Sequence, residues 1–171
     1  MEKNMATSGK LNAIRDAIGA GARANKYKIF LGEKVPDGDL LGKSATFPGV
    51  TVGKIEVWNQ GRKLTIPGDT DYEGTWAISF YNTEDHALRK AFITWMRQID
   101  NFQDNIHSGS PGSQMVEMKV IQMLADGTEG QTYILHNCFP AEIGEITVAD
   151  ETADQIQEFD VTFSFTDWVV A

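Results

Sequence analysis

A chain of 171 residues suits one domain with a substantial core, and a hydrophobic content of 42% is ordinary for a globular protein. The net charge of −9 is unevenly spread: residues 1–119 hold all 15 Lys and Arg against 14 acids, whereas residues 120–171 hold ten acids and no Lys or Arg. Such a surface repels phosphate and disfavours a conventional nucleic-acid-binding role, no run is long and apolar enough for a membrane anchor, and the lone Cys138 excludes an intramolecular disulfide.

The first 25 residues read as an amino-terminal arm. They lack the apolar run of a secretory signal, and Leu11, Ile14 and Ile18 share one face of a helix expected over Ser8 to Ala20, weakened by Gly19 and Gly21. Residues 26–171 read as a single β domain. Tyr27 to Leu31 is its first strand, and Glu33 to Gly42, with Pro36-Asp37-Gly38, is a loop or an irregular hairpin. Thr51 to Trp58 and Arg62 to Ile66 flank Asn59-Gln60-Gly61, a connection of the kind that folds two strands into a hairpin. Pro67-Gly68-Asp69 is expected to stop the second of them.

Trp76, Ile78 and Phe80 alternate with small residues, so a strand there puts three large apolar groups on one face. The cover for that face follows directly. Asn82 or Thr83 is the expected cap of a helix whose stripe is Leu88, Phe92, Trp95, Ile99 and Phe102, with Glu84 and Asp85 placed to suit the helix dipole. Ser108-Gly109-Ser110-Pro111-Gly112 is a break. Met115 to Leu124 is the next strand, turned by Asp126-Gly127 toward Gln131 to Asn137. Pro140 and Gly144 are expected to interrupt the chain before a short strand containing Ile146 and Val148. In the last strand Phe159, Val161, Phe163 and Phe165 point one way and Asp160, Thr162, Ser164 and Thr166 the other. The fold class is mainly β (α+β): an antiparallel β-sandwich or open barrel with one packed amphipathic helix and an amino-terminal helix.

No catalytic chemistry emerges from the residues. His136 and Cys138, two apart on a strand, would share a face and offer two metal ligands, but neither His86 nor His107 supplies the matching pair that zinc requires. Glu84-Asp85-His86 places acid beside histidine, yet adjacent helical residues diverge around the axis. Gly19-Ala20-Gly21 lacks the dinucleotide fingerprint and its strand. No catalytic, cofactor-binding or metal residue is therefore assigned. Trp76 and Trp95 belong to core stripes, while Trp58 and Trp168 are expected to be partly exposed and suited to subunit contact.

Lys43-Ser44-Ala45-Thr46-Phe47-Pro48-Gly49, then Arg62-Lys63-Leu64-Thr65-Ile66-Pro67-Gly68-Asp69, Trp76 and Glu84-Asp85-His86-Ala87-Leu88-Arg89-Lys90-Ala91-Phe92 form a string that resembles the tail tube proteins of contractile-tailed bacteriophages. Phe139-Pro140-Ala141-Glu142-Ile143-Gly144-Glu145-Ile146, Ile156 to Phe165 and Asp167-Trp168 are similar to the carboxy-terminal half of the same family. The resemblance implies a structural, non-enzymatic virion protein that needs no cofactor. In that family subunits form hexameric rings whose sheets join into an inner β-barrel, and the rings stack into a tube inside the contractile sheath. The implied partners are other copies of the chain, the sheath protein, and baseplate and tail terminator proteins. The tape measure protein and the genomic DNA pass through the lumen, and the implied location is the virion tail. A phage-derived injection-system tube subunit or a baseplate tube initiator is the alternative; a monomeric ligand-binding β-sandwich is the distant one.

On this reading some of Glu142, Glu145, Asp150, Glu151, Asp154, Glu158 and Asp160 line the channel, and the rest meet basic residues of an adjacent subunit. Phe47 and Trp58 are candidate assembly contacts, and the loop from Glu33 to Phe47 and the amino-terminal helix are candidates for ring-to-ring or sheath contact.

Overall fold

Two alternating segments build the centre of the molecule. In a computed structural model, which describes residues 13–19, 21–72, 74–101, 106–107, 111–146, 148 and 155–171, the fifth strand and the penultimate strand of the chain lie side by side. The strands, and the two helices among them, are numbered in chain order. β1 (Tyr27–Phe30), α1 (Gly38–Leu41), β2 (Gly42–Ala45), β3 (Val50–Asn59), β4 (Arg62–Tyr72) and β5 (Thr75–Tyr81) precede α2 (Ala87–Ile99); β6 (Asp100–Asn101), β7 (Ile106–His107), β8 (Val116–Met123), β9 (Glu129–Ile143), β10 (Glu158–Ser164) and β11 (Asp167–Val170) follow it.

β10 pairs antiparallel with β5, with Phe159 opposite Phe80, Val161 opposite Ile78 and Phe163 opposite Trp76. All six side chains are buried, so the two-residue period of both strands resolves into one apolar and one polar face. α2 covers the apolar face with Leu88, Phe92 and Trp95. Phe92 is the hub: its ring lies 5.3 Å from that of Phe80, 5.8 Å from Phe163 and 6.3 Å from Phe159, at the tilted and edge-on angles that aromatic quadrupoles favour.

The helix begins later than its expected caps. His86 occupies the cap position in a left-handed conformation, with φ of 55°, and the Asp85 carboxylate accepts from the Ala87 N–H at 3.2 Å and from the Thr83 hydroxyl at 2.6 Å. The Thr83 hydroxyl and then the Ala87 N–H hold the Asp85 carboxyl below its ordinary range. Asn82 is instead buried, its Nδ2 donating to Gln157 Oε1 at 3.0 Å.

β9 joins two sheets. β1, β8, β9 and β11 form the first, and β9, β10, β5 and β2 the second, all by antiparallel pairing. The switch falls at Asn137, whose φ of 56° breaks the alternation within the strand. For that reason His136 and Cys138 do not share a face: His136 is partly exposed beside Glu117 at 3.2 Å, whereas Cys138 is fully buried. Pro140 does not interrupt β9 as expected, because it sits opposite Phe163 next to a register shift, where a missing N–H costs no regular ladder bond. Ile146 and Val148 lie outside any strand. The sheets are mainly antiparallel and do not close on themselves, as a sandwich or open barrel requires.

Other differences are local. The expected loop before Gly42 contains α1, tied back by the Leu31 N–H donating to Asp39 Oδ1 at 2.8 Å. A Cβ on Gly38 would lie 2.7 Å from Leu31 Cδ1, so that close packing needs glycine. β2 and β11 were not expected as strands. Residues 13–18 are helical with Ile14 and Ile18 exposed, whereas Leu11, Ala20 and Phe102 lie outside the described residues.

Burial pushes the Cys138 thiol up to about 12. At pH 8 only about one molecule in 10⁴ then carries the thiolate. The folded protein will leave a thiol-specific dye almost unreacted over minutes, and denaturant will release one equivalent; prompt labelling without denaturant would show that the site opens.

Candidate assembly surfaces

The hairpin predicted from Asn59-Gln60-Gly61 is far longer than its sequence suggests. β3 and β4 pair from Val50 opposite Tyr72 to Asn59 opposite Arg62 and, among the described residues, with no other strand. Pro67-Gly68-Asp69 does not end β4. It forms a bulge against Gly53, where Cβ atoms on Gly53 or Gly68 would lie 3.1 Å from the backbone of the facing strand, so the ribbon bends and continues. The result is an arm whose first strand has ten residues, roughly 34 Å long at about 3.4 Å per residue.

Beyond the bulge the arm has two different faces. Ile55 opposite Ile66 and Val57 opposite Leu64 make one face aliphatic as far as the tip, where Asn59 opposite Arg62 ends it. Lys54, Glu56, Trp58, Lys63 and Thr65 make the other, with an ion pair between Lys63 and Glu56. All four aliphatic side chains are exposed, Leu64 by 60%. A two-stranded ribbon is at best marginally stable in water, and this one carries an apolar face that nothing in its own chain covers among the described residues.

Two tryptophans fix the arm to the body. The Trp76 indole N–H donates to the Thr46 carbonyl at 2.6 Å and the Trp168 indole N–H to the Gly49 carbonyl at 3.2 Å, so the segment leading from β2 into β3 is held at both ends. Phe47, Tyr133, Trp168 and Tyr72 follow one another in aromatic contact at 5.0, 5.6 and 6.2 Å around this root. Phe47 and Trp58 are therefore not one patch. Phe47 is 43% exposed and packed at the root, whereas Trp58 is 67% exposed near the tip.

The second sheet supplies a polar face. Glu158 opposite Tyr81, Asp160 opposite Ser79, and Thr162 between Ala77 and Glu142 alternate with the buried aromatics, so Glu142, Glu158 and Asp160 share one surface. Ser79 donates to Asp160 at 2.5 Å, and Lys43 bridges to Glu158 at 2.6 Å, a hydrogen bond that raises the Lys43 pKa. Glu145 is exposed beyond the end of β9; Asp150, Glu151 and Asp154 lie outside the described residues. Among the described residues no three potential ligands converge on a metal position. Among the described residues no helix is long and apolar enough to cross a membrane.

Ile55, Val57, Leu64 and Ile66 are surface residues that sequence reasoning left unassigned. Their alternation was visible; that it faces no core of its own chain was not.

A profile described as phage tail tube protein matches residues 10–171. The tail tube protein gp19 of Enterobacteria phage T4 is 24% identical over 148 residues, 86% of this chain and 90% of the relative. Its counterpart in Enterobacteria phage T6 matches to the same extent. Among solved structures, a chain of the anti-feeding prophage baseplate superposes with a TM-score of 0.65 at 12% identity, covering 88% of this chain and 95% of that one. A chain of the sheath–tube complex of the PVC extracellular contractile injection system, in its extended state, gives 0.62 at 15% identity, covering 91% and 94%. These two likenesses show a common fold.

Proposed function

Because the chain belongs to the phage tail tube protein family, matched over residues 10–171, we propose that its arm and its open sheets are the surfaces by which copies join into hexameric rings and stack into a conduit. The chain is a tail tube protein of the contractile-phage type, and its place is the virion tail. The observation that carries the assembly reading is the arm: a ribbon whose aliphatic face has no partner among the described residues gains its missing burial when copies meet. Ring closure satisfies sheet edges, and stacking joins one face of a subunit to a different face of the next, which repeats without limit.

The polar face of the second sheet suits a channel wall. Glu142, Glu158 and Asp160 would meet a passing polyanion with repulsion, so DNA and a tape measure protein slide instead of binding. Glu145, Asp150, Glu151 and Asp154 either extend that wall or meet basic residues of an adjacent copy. The outer partners on this reading are sheath, baseplate and tail terminator proteins. The sheath–tube likeness supports a shared fold in that setting, and the tube role itself requires no chemistry of the subunit.

Negative-stain microscopy of concentrated protein, with and without a nucleating baseplate, is expected to show rings or hollow polymers; solitary molecules under both conditions would overturn the proposal. For the channel wall, Glu142→Lys together with Asp160→Lys should still give tubes, which now retain a short oligonucleotide at low salt and release it as salt rises. Tubes that fail to form would place this face at a subunit contact, and tubes indifferent to DNA would remove it from the lumen.

A further inference from the structure

The hydrophobic layer between α2 and the second sheet is open on one side. β10 and β11 follow one edge of β9 from Ile143 back to Tyr133, with one register shift between Thr162 and Phe163. β8 covers the other edge only as far as Cys138. Residues 139–143 of β9 therefore have no strand on that second side among the described residues. α2 overhangs the gap, and Ile93, Met96 and Ile99 from the helix with Phe139 and Pro140 from the strand line a cleft of about 470 Å³. A cleft so bounded, with a strand edge as its floor and Ile93, Met96 and Ile99 as its roof, flanked by Arg97 and Asp100, is shaped for an added strand with alternate apolar residues and polar ends.

We propose that the arm of a second copy occupies this cleft, laying one of its strands along residues 139–143 of β9 and placing Ile55, Val57, Leu64 and Ile66 against Ile93, Met96 and Ile99. This rests on the tube reading and names the contact through which it works. Three observations select the arm. Its aliphatic face has the two-residue period that a strand beneath a helix needs. With that face under α2, the opposite face, bearing Lys54 and the Lys63–Glu56 ion pair, continues the surface that carries Glu142, so Lys54 arrives beside an acidic group. The occupant is another molecule because the arm springs from β2 and β5, separated from β9 by β10, and among the described residues pairs with no strand of its own body.

The test is a cysteine pair, Val57→Cys with Met96→Cys, treated with a short bifunctional maleimide while the protein assembles. Cys138 is buried and does not compete. The expected product is a ladder of covalent oligomers in a denaturing gel, absent from either single variant. Tubes that form normally without a ladder, or a link within one chain, would overturn the docking and leave the tube reading standing. Failure of the wild-type chain to form rings or polymers under any condition would remove the tube reading and the docking together. As a second measurement, Met96→Glu should block polymerisation and Val57→Lys in the same chain should restore it in part; equal loss in the single and double variants would also overturn the contact.

Discussion

Val57→Glu combined with Leu64→Lys will abolish polymerisation while leaving the monomer folded. The two side chains face each other across the ribbon, so opposite charges keep the cross-strand pair favourable and the arm intact. Both are exposed in the isolated chain. Surface substitutions of this kind change stability by about 0.5 kcal/mol at most, which moves the melting temperature of a domain this size by about 2 °C. In the assembly each residue would lose roughly 1.5–3 kcal/mol of burial, and the two losses together raise the critical concentration about 10²- to 10⁴-fold. Sedimentation and calorimetry on one preparation check both halves. Normal tubes would remove the aliphatic face of the arm from the interface, and a large fall in melting temperature would mean that the face belongs to the monomer after all. Trp58→Glu near the tip and Phe47→Glu at the root should differ in the same experiment: Trp58 stands clear of the body, while Phe47 also supports Tyr133, so only the second is expected to cost monomer stability.

Phe163→Ala will have the opposite signature. Phe163 is fully buried between Trp76, Phe92 and Trp95, with ring separations of 6.0, 5.8 and 6.5 Å, on the strand that both neighbours of the second sheet pair with. Removing the ring loses its transfer free energy and leaves a cavity that these large, interlocked neighbours cannot fill. A cost of about 3–5 kcal/mol is expected. That is a large part of the roughly 5–15 kcal/mol that holds a domain together, and it lowers the melting temperature by roughly 6–20 °C. Phe163→Leu should lose markedly less. Chemical denaturation followed by circular dichroism measures both, and a loss below about 1 kcal/mol for the alanine variant would show that the core around Phe92 is not organised by Phe163.

The contrast between these variants reflects two kinds of apolar surface in one chain. Phe163 and Val57 both sit on strands with alternating apolar side chains. Phe163 has α2 above it within the same molecule, whereas Val57 has solvent. The energy that the arm lacks as a monomer is the energy available for assembly, so the same property that leaves the ribbon marginal makes it useful to a tube.

The local rules decided a good deal on their own. The alternation in Trp76–Phe80 and Phe159–Phe165 specified two half-buried strands, and the spacing of Leu88, Phe92 and Trp95 specified the helix that covers them. Asn59-Gln60-Gly61 specified a hairpin, and the ten acids after residue 119 already suggested a face hostile to phosphate. These features follow from short-range periodicity, turn geometry and charge, which a chain carries wherever it goes. Tertiary structure alone decided the rest. Proline and glycine read as breaks at Pro67-Gly68 and Pro140, yet both became irregularities inside longer strands because a neighbouring strand was there to accept them. Asn137 moved His136 and Cys138 to different surroundings by one left-handed residue. Whether an aliphatic face meets its own core or another molecule depends on where distant elements end, and here β8 stops at Cys138 while α2 runs on past the edge of β9. Periodicity determines which side chains lie together; only the arrangement of the whole chain determines what lies opposite them.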